Sequence, residues 1–96
     1  MNGKLKSEHM DELFRAVLSL RSVEECYAFF DDLCTVSELK AMEQRFQVAR
    51  QLAAGRVYSD IAAATGASTA TISRVNRALN YGSDGYRAVI DKINDV

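Results

Sequence analysis

Hydroxyl side chains and arginines cluster in one short stretch, residues 67–79, which reads ASTATISRVNRAL. Its apolar residues Ile72, Val75 and Leu79 follow the spacing of one helix face. Serine and threonine are weak helix formers because their hydroxyls compete for backbone groups, so intrinsic helix stability does not explain the composition. Small side chains that carry hydroxyl and methyl groups can approach the base edges of a DNA major groove closely. The stretch therefore predicts a DNA-binding helix.

The inward position of the three apolar residues assigns the other side chains of this helix to its outer face and flanks. Arginine pairs readily with phosphate oxygens, and no acidic residue occurs between Ala67 and Ser83. The free N–H groups at the helix N-terminus also favour a phosphate. A solvated helix with a serine cap would explain Ser68 but not the whole acid-free, hydroxyl-rich face. The residues predicted to contact DNA are Ser68, Thr69, Ala70, Thr71, Ser73, Arg74 and Arg77.

Charge is unevenly distributed along a chain whose net charge is −1. Residues 1–38 carry four basic and eight acidic side chains, residues 39–80 carry six and two, and residues 81–96 carry two and three. A locally basic segment is what phosphate binding requires, although ordinary helix surfaces carry similar charge. The charge pattern supports DNA binding without deciding it.

The other reactive residue types do not form a pattern that indicates catalysis or metal binding. Cys26 and Cys34 are eight residues apart and lack CxxC spacing, so we expect buried, reduced thiols. The single histidine, His9, has no ligand cluster around it and is expected to face solvent on the first helix. No nucleophile–base pair can be nominated. The sequence predicts no catalytic residue, no metal site, no cofactor and no enzyme activity.

The 96-residue chain is expected to fold as one all-α domain with six helices. Capping-box patterns at residues 22–25 (SVEE) and 35–38 (TVSE) mark the starts of the second and third helices, and Gly55 ends the third. We predict dimerisation helices within residues 8–54, a helix-turn-helix over 59–79 and a C-terminal helix over 83–95. The apolar stripe predicted for the third helix is Leu39, Met42, Phe46, Ala49 and Ala53.

The segment 59–79 has the features of a helix-turn-helix, two short helices joined by a tight turn. Gly66 can adopt the left-handed conformation of the turn, and Ala62 is small where the helices must cross. We expect Ser59 to cap the first helix of the pair and Ser68 to cap the second.

No apolar run is long enough to suggest a membrane span, and the N-terminal residues contain no secretory signal. We therefore expect a cytoplasmic protein without a membrane partner.

The same segments resemble the tryptophan repressor family. Residues 66–74 (GASTATISR) are similar to its Gly-Ala-x-x-Ala-Thr-Ile-Thr-Arg run, and residues 80–86 (NYGSDGY) resemble the YerC/YecD-type branch of the superfamily. The upstream residues that resemble the preceding helix of the family are Thr35, Glu38, Arg45, Leu52 and Gly55. The resemblance covers roughly residues 33–86. It implies a Trp-repressor-like fold and an intertwined homodimer. The two DNA-binding helix-turn-helix units of such a dimer lie about 34 Å apart, which is one turn of DNA. The implied function is that of a bacterial-type, sequence-specific transcriptional regulator, expected to be a repressor, which binds double-stranded DNA.

The resemblance also implies a candidate ligand site. In the family two arginines enclose the indole ring of tryptophan, and Arg45 and Arg74 match their positions, while Thr35 matches a pocket-lining threonine. Val75 replaces a family glycine and would project into the space of the indole, and Ala78 replaces a ligand-contacting serine. We therefore expect either an effector other than tryptophan or no effector. Phosphate contact or surface ion pairing is the alternative role of the two arginines.

A helical protein-interaction module that keeps the fold without binding DNA is the alternative function. Only two arginines lie on the predicted reading helix, which is a modest charge for DNA binding. The salt dependence of binding distinguishes the two functions, because phosphate contacts impose it.

Overall fold

The computed structural model describes residues 3–94, which form six α-helices and no strand. The helices are α1 Glu8–Leu18, α2 Val23–Leu33, α3 Val36–Ala53, α4 Tyr58–Thr65, α5 Thr69–Tyr81 and α6 Gly85–Asn94. This architecture confirms the all-α prediction. The chain divides into two compact units, one that ends at Leu39 and one that begins at Lys40.

The capping box predicted for α3 forms in full, whereas at α2 the serine cap forms but the glutamate binds the N–H of the residue before the cap. At the start of α3, Glu38 N–H donates to Thr35 Oγ1 at 3.1 Å and Thr35 N–H donates to the Glu38 carboxylate at 2.8 Å. The hydrogen bonds from the Thr35 backbone and then its side chain hold the pKa of Glu38 below its ordinary value. At the start of α2, Ser22 Oγ accepts from Glu25 N–H at 3.1 Å, and the Glu25 carboxylate accepts from Arg21 N–H at 2.8 Å.

Helices α1 and α2 are amphipathic, but neither contains a buried residue. Leu18 is 82% exposed and Tyr27 is 76% exposed. Cys26 is exposed and Cys34 is half-buried, both as free thiols, so the prediction of two buried cysteines is wrong for the single chain. The reason is that α2 does not bury its apolar stripe within this chain. The His9 side chain is exposed as predicted.

The core of the second unit is built from α3, α4, α5 and α6. Its buried residues are Val48, Ala49, Ile61, Ala67, Ile72, Val75 and Ile90. The stripe predicted for α3 is only partly correct, because Ala49 is buried while Met42 is 40% exposed and Ala53 is also exposed. Val48, which the prediction omitted, is fully buried. Periodicity finds apolar residues on α3 but does not tell which of them the same chain covers.

The helix ends show where local signals succeeded and failed. Gly55 has φ +85°, its N–H donates to Leu52 O at 3.0 Å, and Arg56 N–H donates to Gln51 O at 3.1 Å. This is a Schellman ending, and it confirms Gly55 as the stop of α3. The prediction of a Ser59 cap is wrong, because α4 begins at Tyr58 after Val57, which makes no side-chain cap.

The C-terminal helix begins at Gly85, two residues after the predicted start at residue 83. Asp84, the residue before it, has φ +64° and accepts Ala88 N–H at its carbonyl. The predicted end at residue 95 lies outside the described residues.

Within residues 3–94, every helix is too short or too polar to cross a lipid bilayer.

Candidate nucleic-acid interface

Two residues at the end of α4 define the turn that leads into α5. Gly66 has φ +73°, a conformation that side-chain-bearing residues rarely adopt. Thr65 Oγ1 donates to Ile61 O at 2.7 Å and accepts from Ala67 N–H at 3.2 Å. Gln44 of α3 donates its amide N–H to Thr65 O at 3.2 Å. The turn is therefore held both from within α4 and from α3.

The inner face of α5 packs into the core. Ile72, Val75 and Leu79 are 0%, 2% and 3% exposed, as their spacing predicted. Ala62, the predicted crossing point on α4, packs against this core. Burial of three aliphatic side chains fixes which side of α5 remains available to a partner.

The opposite side, which we call the outer face of α5, consists of Ser68, Thr69, Ala70, Ser73, Arg74 and Arg77, all exposed. Ser68 caps the helix as predicted, since its Oγ accepts Thr71 N–H at 3.1 Å. Its hydroxyl also donates to Thr71 Oγ1 at 3.1 Å, and Thr71 is half-buried. Six of the seven residues predicted to contact DNA therefore lie on an exposed surface, and Thr71 supports its N-terminal edge.

The arginines of the outer face are not neutralised by neighbouring acids. The ion pairs among residues 3–94 join Lys6 to Asp11, His9 to Glu12 and Lys40 to Glu43. Neither arginine on α5 takes part in one, so both guanidinium groups can bind an external anion.

Gln44 is a residue that the sequence reasoning missed. Its contact with Thr65 spans 21 positions and joins a side chain to a backbone carbonyl. Such a contact leaves no mark in hydrophobic periodicity. The sequence shows only a polar residue on α3, and the structure adds that this residue is half-buried.

The three residues predicted as a ligand set have different surroundings. Thr35 uses its N–H and its hydroxyl in the cap of α3. Arg45 and Arg74 are each exposed, and no hydrogen bond or ion pair among the described residues joins them. Val75 lies in the core rather than in an open pocket.

An apolar groove lies beside α5. It has a volume of about 620 Å³ and is lined by Phe46, Ala78, Gly82, Ser83, Gly85, Tyr86 and Val89. Ala78 can offer it a methyl group but no hydrogen bond.

Residues 8–94 match the sequence model of the Trp repressor protein family. The chain belongs to the Trp repressor family. It is 52% identical over 92 residues to YerC of Bacillus subtilis (strain 168), described as uncharacterized, and the match covers 96% of this chain and 88% of YerC.

Two crystal structures of similar proteins have the same fold as this chain. A TrpR-like protein from Eubacterium eligens ATCC 27750 is 54% identical with a TM-score of 0.93, over 97% of this chain and 96% of that one. A candidate Trp repressor from Staphylococcus aureus is 52% identical with a TM-score of 0.91, over 95% and 91%.

Trp repressor family members are DNA-binding regulators that are typically dimeric, and they are not enzymes. At the level of the family, this chain is therefore a DNA-binding transcription regulator. The predicted resemblance to the family and its YerC-type branch is confirmed.

Proposed function

We propose that a homodimer of this chain acts in the cytoplasm and represses transcription by binding specific DNA sequences, with α4 and α5 as a helix-turn-helix. The observation that carries the proposal is the outer face of α5, which is exposed, free of acids and built at its N-terminal end from short side chains. Three buried residues on the opposite side hold this face towards solvent.

Short side chains matter because a recognition helix must come close to the base edges. Thr69 and Ala70 occupy the first turn of α5, and Ser73 follows one turn later. The methyl groups of Thr69 and Ala70 can contact the thymine methyl, and the hydroxyls of Thr69 and Ser73 can donate to or accept from base edges. A long or acidic side chain at these positions would hold the helix away from the groove.

Phosphate contacts would come from the flanks of the same helix. Arg74 and Arg77 are exposed and take part in none of the ion pairs of the described residues. The first N–H groups of α5, at Thr69 and Ala70, lack intrahelical partners and favour an anion. These groups supply the sequence-independent part of the affinity, while the first turn supplies the choice of sequence.

The second copy is proposed to cover the apolar faces that a single chain leaves exposed. Phe14, Leu18, Val23, Tyr27 and Leu33 of α1 and α2 are 48%, 82%, 66%, 76% and 49% exposed. Apolar exposure of this extent marks an association surface. A two-fold dimer presents two copies of α5, so the expected operator is an inverted repeat whose half-sites are about one helical turn apart.

DNA binding is proposed to be independent of tryptophan. The hydroxyl of Thr35 is engaged by Glu38, Val75 lies in the core, and Ala78 offers no hydrogen bond to an amino group. Arg45 and Arg74 remain candidates for an effector of different chemistry or for phosphate contact.

The test is selection of bound duplexes from a random pool, followed by binding titrations of the selected duplex at several salt concentrations. We expect an enriched inverted repeat, an affinity that falls as salt rises, and no change when tryptophan is added in excess. A scrambled duplex of the same length is the control.

Failure to enrich any sequence, with salt-independent association to proteins only, would favour the interaction module. A marked gain in affinity with tryptophan would contradict the proposed independence. Sedimentation of the free protein as a monomer would contradict the dimer.

A further inference from the structure

The C-terminal end of α5 is held by a side chain from α6. Arg87 donates its Nε–H to Leu79 O at 3.2 Å and its Nη2–H to Asn80 Oδ1 at 2.9 Å. Asn80 in turn donates Nδ2–H to Asn76 O and to Asn76 Oδ1, each at 2.9 Å. We call this chain of contacts the Arg87 brace.

The brace meets a requirement of the α5 backbone. The last four carbonyls of a helix have no intrahelical partner and carry partial negative charge. The cationic guanidinium donates a hydrogen bond to the Leu79 carbonyl and a second one to the side-chain oxygen of Asn80. Arginine can do both because its planar group presents several donors in a fixed fork, whereas lysine offers a single charged nitrogen.

The connection between α5 and α6 leaves the brace little freedom. A Cβ atom on Gly82 would collide with the carbonyl oxygen of Ala78, so the chain leaves α5 in close contact with its last turn. Arg87 then returns to that same turn from the third position of α6. The close approach at Gly82 and the hydrogen bonds of Arg87 lie at the two ends of a short connection, and together they restrict the angle between α5 and α6.

The brace lies next to the outer face of α5. Asn76 directly precedes Arg77, and Asn80 is three residues beyond it. A change in the last turn would therefore move the phosphate-binding arginine and tilt the first turn of the helix in the groove. Two of the five N–H donors of the Arg87 side chain bind protein acceptors, Leu79 O and Asn80 Oδ1.

We propose that Arg87 is a positioning residue for DNA recognition, which sets the orientation of α5 against α6 without contacting DNA. This inference rests on the proposed function. The competing role is a direct phosphate contact by one more cation of a basic unit. The two roles differ in the salt dependence of binding, because removal of one phosphate-binding cation lowers the slope of log affinity against log salt by about 0.9.

The test compares the variants Arg87→Ala, Arg87→Lys and Lys92→Ala by DNA titration at several salt concentrations. Arg87→Ala is expected to weaken binding on the order of tenfold while the salt slope stays at the wild-type value. Arg87→Lys keeps the charge but not the fork and is expected to stay impaired. Lys92→Ala removes a cation from an exposed position of the same helix and is the control, expected to bind nearly as wild type.

A lower slope in Arg87→Ala would overturn the proposal in favour of a phosphate contact. Full recovery in Arg87→Lys would overturn it as well, because charge alone would then suffice.

Hydrogen exchange of the DNA-free variants tests the brace independently of DNA binding. Arg87→Ala is expected to accelerate exchange of the amides of residues 79–83 and to leave α3 and α4 unchanged. Acceleration throughout the second unit would show a general structural role and overturn the proposal. If the wild-type protein binds no DNA, the proposed function fails, and the exchange experiment still shows whether the brace exists.

Discussion

Replacement of Val75 by glycine, the residue that resemblance to the family suggests for this position, is expected to destabilise the fold strongly. Val75 is 2% exposed and belongs to the core with Val48, Ile61 and Ile72. Loss of a buried valine side chain costs about 1.5–3 kcal/mol, and glycine within a helix costs about 1 kcal/mol more than alanine. The expected loss for Val75→Gly is therefore about 2.5–4 kcal/mol, a large part of the ~5–15 kcal/mol that stabilises a typical protein.

The measurement is urea unfolding followed by circular dichroism at one protein concentration, because association contributes to apparent stability. Val75→Ala should cost about 2 kcal/mol, since it removes two methyl groups without the glycine penalty. Ser73→Gly, exposed on the same helix, is the control and should cost only about 0.5 kcal/mol. If Val75→Gly costs no more than Ser73→Gly, Val75 does not pack as described. Calorimetry should show no gain of tryptophan binding in Val75→Gly, because the side chain fills core and not ligand space.

Three further predictions concern the surface of the protein. Thr69→Glu should abolish DNA binding with unchanged helical content, because it places a charged, longer side chain in the first turn of α5. Thr69→Ser is the control, and equal binding by the two variants would show that this turn does not lie in the groove. Arg74→Ala and Arg77→Ala should weaken binding to all duplexes alike and lower the salt slope by about 0.9 each, so a loss confined to some sequences would mean that they read bases. Glu38 has a pKa below its ordinary value in the folded chain. The stabilisation of the fold by ionised Glu38 should be fully present above the unfolded glutamate pKa of about 4.3. It should be lost as the pH falls through the lower pKa that Glu38 has in the folded chain. Glu38→Gln should flatten that part of the stability–pH curve, and an unchanged curve would contradict the role of the Thr35 hydrogen bonds.

Helix identity and the orientation of α5 could be predicted from sequence because both depend on nearby residues. The caps at Ser22, Thr35 and Ser68 use partners three residues away. The inner face of α5 follows the helical period, and its residues are covered by the same chain. Gly55 ends α3 through contacts within a single turn.

Predictions that depended on more distant partners were less accurate. The burial of Cys26 and Cys34 was wrong, because the stripes of α1 and α2 are left uncovered by this chain. Gln44 and Arg87 were missed because each joins a side chain to residues on another helix. Periodicity shows which face of a helix is apolar, but not which polar side chain reaches across to a neighbouring helix.

The central claim is that the exposed first turn of α5 lies in the major groove. The direct measurement is a nuclear magnetic resonance experiment on the protein bound to its selected duplex, which detects contacts between protein methyl groups and DNA protons. The methyl groups of Thr69 and Ala70 are predicted to contact base protons of the major groove. Contacts made only by α1 and α2, or only with sugar protons, would contradict the claim.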